Sequence, residues 1–126
     1  DKNPVFYLQY AYARICNIVR HGENQGFKFS ENFDTTLLNE RSEIKLLKLM
    51  SNFPGMMETA LETLEPQTIA IYLQDLASSF HKFYGNCKVI TDDEKLSQSR
   101  LGLINGTKII ISIGLSILGI SAPEKM

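Results

Sequence analysis

The stretch Asn3-Pro4-Val5-Phe6-Tyr7-Leu8-Gln9-Tyr10-Ala11-Tyr12-Ala13-Arg14-Ile15-Cys16-Asn17-Ile18-Val19-Arg20-His21-Gly22 reads as one helix with both ends marked. Asn3 is a good N-cap, because its side-chain oxygen accepts a backbone N–H that the first turn leaves unpaired. Pro4 suits the first helical position, where a missing N–H costs nothing. Gly22 fits left-handed backbone just past the helix, and His21 before it faces the negative end of the helix dipole. At about 100° per residue, Leu8, Ala11, Ile15, Ile18 and Val19 share one face. The other side carries Phe6, Gln9, Tyr10, Arg14 and Asn17. The first face is core. The second admits two readings: a packed face with Tyr10 buried and its hydroxyl satisfied, or a stacking surface for unpaired bases with a guanidinium beside it.

The 126 residues suffice for one domain, and 44% apolar with 21% charged residues is ordinary globular composition. A start at Asp1 rather than Met leads us to expect a piece of a longer chain, and nothing in it reads as a signal peptide. The most apolar run, from Ile109 to Ile120, is shorter than the ~20 residues of a membrane span and is interrupted by Ser112, Gly114, Ser116 and Gly119. It predicts a buried helix and no membrane partner. Cys16 and Cys87 lie far apart in helical patterns, which favours free thiols in a reducing cytosol. Together with His21 and His81 they make no zinc-like spacing, so no metal is expected. The net charge is −1 and the pI about 6.1, whereas a domain relying on phosphate neutralisation has a pI above about 9. RNA binding by this chain would rest on reading bases over a small area.

Beyond Gly22, the segment Glu23 to Asp34 is polar and aromatic. Gly26 and Asn32 predict irregular structure there, with Phe27, Phe29 and Phe33 stapling it onto the bundle. A second helix is predicted from Leu37 to Ser51, with Ile44, Leu47 and Met50 as its apolar positions. Its alternating Glu40, Arg41, Glu43, Lys45 and Lys48 read as a solvated face without function. Asn52-Phe53-Pro54-Gly55 breaks it. In a third helix Met57, Ala60, Leu61 and Leu64 fall at i, i+3, i+4 and i+7, ending before Glu65. Pro66 opens a fourth helix to about Val89, with Ile69, Leu73, Leu76, Phe80, Phe83 and Cys87 as one core stripe. At its margin His81, Tyr84 and Lys88 share a side, a ring flanked by two potential cations.

Thr91 with Glu94 fits a capping box, opening a last helix through Leu96, Leu103, Ile110, Ile111, Ile117 and Leu118 to Gly119, about 40 Å long. The expected fold is all-α: a single bundle of about five helices with a long C-terminal one. No phosphate-binding glycine loop occurs, and no Ser/His/Asp or Cys/His set shows nucleophile logic. Asp92, Asp93 and Glu94 point in different directions on a helix. No catalytic residue is assigned, which argues against a stand-alone enzyme.

Three strings carry a family resemblance. The opening Asn3 to Ile15 is the first. Leu76-Ala77, Phe80, Phe83-Tyr84, Cys87 and Val89 form the second, and Leu118-Gly119-Ile120-Ser121-Ala122-Pro123-Glu124-Lys125-Met126 the third. In this order across residues 1–126 they resemble the C-terminal, DALR-type anticodon-binding domain of bacterial arginyl-tRNA synthetases. The resemblance implies that the chain is a fragment lacking the catalytic domain, and that it docks on the anticodon loop of arginine tRNA. Tyr10 and Tyr84 would contact bases, with Arg14 and Gln9 supplying hydrogen bonds or backbone contact. Asn17, His81 and Lys88 complete the candidate RNA-binding set. Tyr12 stands where many members have His, and Lys88 where some have a second aromatic. No cofactor is implied for the fragment, while ATP and magnesium are implied for the parent arginine-tRNA ligase. The expected partners are tRNA and the catalytic domain of the same chain, in a cytoplasmic monomer. The alternative is a helical protein–protein interaction domain, its aromatic faces packed on a partner helix.

Overall fold

The computed structural model describes residues 3–28 and 32–126; Asp1 and Phe29 lie outside the described residues. The helices are α1 (Pro4–Asn24), α2 (Arg41–Ser51), α3 (Phe53–Thr63), α4 (Pro66–Asn86) and α5 (Glu94–Ile117), with a short 3-10 turn at Thr35–Leu37. Among the described residues there is no strand, so the all-α bundle stands as expected. Helices α1 and α4 pack against each other and both pack on α5, while α2 lies across α4 and α5 and α3 docks mainly on α4. Leu8, Ile15, Leu73, Phe80, Phe83 and Leu103 are sealed at the common centre. Each such side chain contributes about 1.5–3 kcal/mol through removal from water. The predicted stripe on α4, from Ile69 to Cys87, is buried throughout.

The helix ends follow local chemistry, though not always at the residues expected. Asn3 caps α1, its Oδ1 accepting from the Val5 N–H at 3.0 Å and the Phe6 N–H at 3.3 Å. Gly22 does not end α1: it is helical and buried, and its missing Cβ makes room for Leu101 of α5. The stop comes at Gly26, which takes φ +94°. There the Phe27 N–H returns to the Gly22 carbonyl at 2.9 Å and the Gly26 N–H to Glu23 at 3.0 Å, a Schellman closure. Gly119 closes α5 in the same way at φ +74°, with the Ile120 N–H on the Leu115 carbonyl at 2.8 Å. The N-cap of α5 is Asp93, which accepts from the Leu96 N–H at 3.2 Å. Thr91, the cap expected from sequence, instead bonds to Ser97, its N–H donating to Oγ at 2.7 Å.

Other differences trace to packing. The predicted second helix begins at Arg41, because Asp34 closes a separate turn by accepting from the Thr36 N–H. Helix α2 buries Glu43 and Leu46 and leaves Ile44 outside, while Leu47 and Met50 pack against the core as predicted. In α3 only Ala60 is buried, and Leu61 and Leu64 stand in solvent. Helix α5 has 24 residues and a mean hydropathy of 1.3 in its most apolar window, long and apolar enough to cross a membrane, but 61% of that window is buried inside the bundle. Ile117, expected in the core, is exposed. Phe27 and Phe33 do pack on the core as staples, and Cys16 and Cys87 are buried free thiols.

Candidate nucleic-acid interface

Helix α1 presents its second face beside the C-terminal half of α4, and the seam between them stays open. Tyr10 is 45% exposed and Tyr84 36%, so neither ring is sealed in the bundle. They converge on one concavity of about 500 Å³ that Phe6, Tyr7, Arg14 and His81 also line. The Arg14 guanidinium carbon lies 4.9 Å from the Tyr84 ring centroid, within cation–π range and worth about 0.5–1 kcal/mol at an exposed site. Underneath, Tyr84 stacks on buried Phe80 with centroids 6.0 Å apart and planes 15° apart. Tyr84 is thus a ring held flat from below with an open edge, and the core stripe of α4 is what holds it.

His81 lies between Tyr7, at 5.5 Å, and Phe80, at 5.1 Å, centroid to centroid. Burial holds its pKa below the ordinary imidazole value, and the positive charge of Arg14 pushes it the same way. It therefore acts as a neutral ring in this wall, not as the cation its spacing suggested. Burial likewise raises the Tyr7 phenol, with a hydrogen bond to Ser78 partly offsetting it. Lys88 does not continue the Tyr84 side of α4, because the helix ends at Asn86. It stands at the far end of the seam, in a concavity of about 750 Å³ that Asn17 and Tyr84 also line.

Gln9 is engaged elsewhere: its Nε2 donates to the Ser121 carbonyl at 3.0 Å and reaches Ser121 Oγ at 3.3 Å. This contact folds the C-terminal tail back along α1, and Glu124, Lys125 and Met126 join Tyr10, Arg14 and Asn17 around a third concavity of about 700 Å³. The site residues brought together are thus Tyr10, Arg14, Tyr84 and His81, with Asn17 and Lys88 further along. Tyr7, Arg20, His21 and the tail residues were not given a place in the site from sequence. For Tyr7 the signal was available, since it sits one turn before Tyr10 and Ala11. For the tail there was none, because 112 positions separate Gln9 from Ser121. No group of His, Cys, Asp and Glu able to hold a metal occurs among the described residues.

These features define an all-α domain that presents rings and a guanidinium along an open interhelical seam. The chain belongs to the DALR anticodon binding domain family, whose model matches residues 8–126. It is 41% identical over 126 residues to an arginine–tRNA ligase of Salinibacter ruber, covering 100% of this chain and 22% of that protein. With the arginine–tRNA ligase of Desulforamulus reducens it shares 44% over 128 residues, covering 100% of this chain and 23% of the relative. The chain therefore spans less than a quarter of these relatives, matching their C-terminal part. Its fold superposes on Thermus thermophilus arginyl-tRNA synthetase with a TM-score of 0.82 and 31% identity, over 95% of this chain and 21% of that one.

Proposed function

We propose that this domain recognises the anticodon loop of arginine tRNA as the C-terminal domain of an arginine–tRNA ligase. The observation that carries the proposal is the convergence of Tyr10 and Tyr84 on one open concavity, with the Arg14 guanidinium against the Tyr84 ring. Single-stranded loop bases can be splayed out and read, whereas the paired stem hides its base edges in a deep, narrow groove. An unstacked base laid on Tyr10, or on Tyr84 once the Arg14 guanidinium gives way or stacks on the base in turn, gains about 1–3 kcal/mol. The planar fork of Arg14 can stack and still donate to a base edge or phosphate. The ring-lined concavity is built for one or two bases, which agrees with a chain whose net charge is −1.

On this reading the ligation chemistry, with its ATP and magnesium, belongs to the catalytic domain of the same chain. The domain described here binds and supplies no catalytic residue, and the whole enzyme works as a cytoplasmic monomer. Titration of the 126-residue chain with an anticodon stem-loop, followed by NMR, tests the site. Tyr10→Ala and Tyr84→Ala should each weaken binding by about 1–3 kcal/mol, roughly five- to 150-fold, with the helical circular dichroism retained because both rings are exposed. Unchanged affinity in both variants would reject the assignment. A protein ligand that displaces no RNA would favour a helix-packing interaction domain instead.

A further inference from the structure

The seam between α1 and α4 does not end at the tyrosines. Tyr84 is a shared wall: on one side lies the ring-lined concavity with Tyr10, and on the other a larger one of about 750 Å³. This second space is mixed, with Ile18, Val89 and Ile90 among its lining and polar groups around them. Asn17, Arg20 and His21 border it from α1, and Asn86 and Lys88 from the end of α4 and the connection to α5. From Tyr10 to His21 the helix rises about 16 Å, enough for more than one nucleotide along the same seam.

Two properties bear on what this end of the seam can bind. Among the described residues, no carboxylate pairs with Arg20, His21 or Lys88; the ion pair found there is Glu43–Arg100. Arg20 Nη2 reaches the Asn17 amide oxygen, at 3.5 Å, so among the described residues a chain with net charge −1 keeps cations without carboxylate partners beside its exposed rings. The far wall is also fixed from inside. Arg100, only 8% exposed, donates from Nη1 to the Lys88 carbonyl at 2.7 Å and from Nε to Glu43 Oε2 at 2.7 Å. The main chain carrying Lys88 is therefore positioned before any ligand arrives, which lowers the ordering cost of binding. The Lys88 side chain itself stays in solvent.

We propose that this end of the seam is a second subsite, which takes the sugar–phosphate backbone of nucleotides flanking the stacked bases. Arg20 and Lys88 meet phosphate oxygens from opposite walls, and the amides of Asn17 and Asn86 lie where they can pair with ribose hydroxyls. The subsite rests on the anticodon proposal and adds to it a division of labour. Rings at one end hold bases, and cations at the other hold backbone.

The two contributions separate by their salt dependence. For a single strand, each phosphate contact contributes about 0.7 to the slope of log K against log salt concentration, whereas stacking contributes almost nothing. Binding of the anticodon stem-loop is measured by fluorescence anisotropy across a salt series for the wild-type chain, Arg20→Gln, Lys88→Gln, Tyr84→Ala and the control Lys95→Gln. Arg20→Gln and Lys88→Gln should each flatten the slope by about 0.7, Tyr84→Ala should weaken binding at every salt concentration without changing it, and Lys95→Gln should leave it alone. Unchanged slopes in both cation variants, with Tyr84→Ala still weakened, would overturn the subsite and leave the stacking site intact. Equal flattening in Lys95→Gln would replace it with diffuse attraction. No binding by the wild-type chain at any salt concentration would instead remove the anticodon proposal and the subsite with it.

Discussion

Arg100 donates from Nε to Glu43 Oε2 at 2.7 Å across 57 positions of sequence, and Glu43 is only 1% exposed. The other Glu43 oxygen accepts the Glu40 N–H at 2.9 Å, so one carboxylate closes the start of α2 and pairs with α5. Removing one partner of a buried pair strands the other charge, which costs about 3–5 kcal/mol. Arg100→Met should lower the urea-unfolding stability by that amount. The double variant Glu43→Leu/Arg100→Met should regain most of it, because well-packed apolar groups avoid the desolvation that the pair incurs. A double variant no better than the single would place the loss in packing and not in charge.

His81 makes a pH-dependent contribution. Its folded-state pKa lies below the ordinary 6.5, through burial first and the Arg14 charge second. Between the folded and unfolded values the unfolded chain binds more protons, so stability rises with pH in that interval. The contribution is complete above the ordinary value and is lost as pH falls from there through the folded one. His81→Phe should flatten this part of the stability–pH curve. Arg14→Gln should raise the His81 pKa seen by NMR; an unchanged value would show that the guanidinium does not act on this ring.

Gly102 admits Phe33. A Cβ built at position 102 would sit 2.3 Å from the nearest Phe33 ring carbon, closer than packed carbons approach. Gly102→Ala should therefore displace the ring that staples the 32–38 segment to α5, at a cost of about 1–3 kcal/mol from overpacking. Faster amide exchange confined at first to that segment would be the local sign.

Leu64 ends α3 in left-handed backbone, φ 54° and ψ 38°, with its side chain 82% exposed. A non-glycine residue in this region costs about 1–2 kcal/mol, and Leu64 regains little of it by burial. Leu64→Gly should raise stability by about 0.5–1 kcal/mol, once glycine's larger unfolded-state entropy is counted. A lower midpoint in thermal unfolding would show that the leucine is held by packing.

Where the signal was local, the fold was legible. The Asn3 cap and the buried stripe from Ile69 to Cys87 follow from residue type and a 3.6-residue period, and both occur as expected. Glu43 was not legible, because in an alternating charge run nothing marks the one residue whose partner lies on another helix. Leu61 and Leu64 keep helical spacing but face solvent, since α3 packs chiefly on α4. The end of α1 moved from Gly22 to Gly26 because the left-handed closure forms at Gly26, while Gly22 stays helical and admits Leu101. Of the candidate site, Tyr10 and Arg14 share a face of α1 and His81 and Tyr84 a side of α4 as their spacing suggested, whereas the meeting of the two in one concavity is a matter of packing that spacing does not report. The charge state of His81 and the displacement of Lys88 depend on burial and on where α4 stops, which periodicity does not report.

The tail tethered by Gln9 carries a practical lesson for handling the molecule. Glu124, Lys125 and Met126 border the concavity shared with Tyr10 and Arg14, so any purification tag or fluorescent fusion appended after Met126 would emerge at its rim. A label there would crowd incoming ligands and report on occupancy at once, whereas a neutral handle belongs on a remote exposed position such as Lys45.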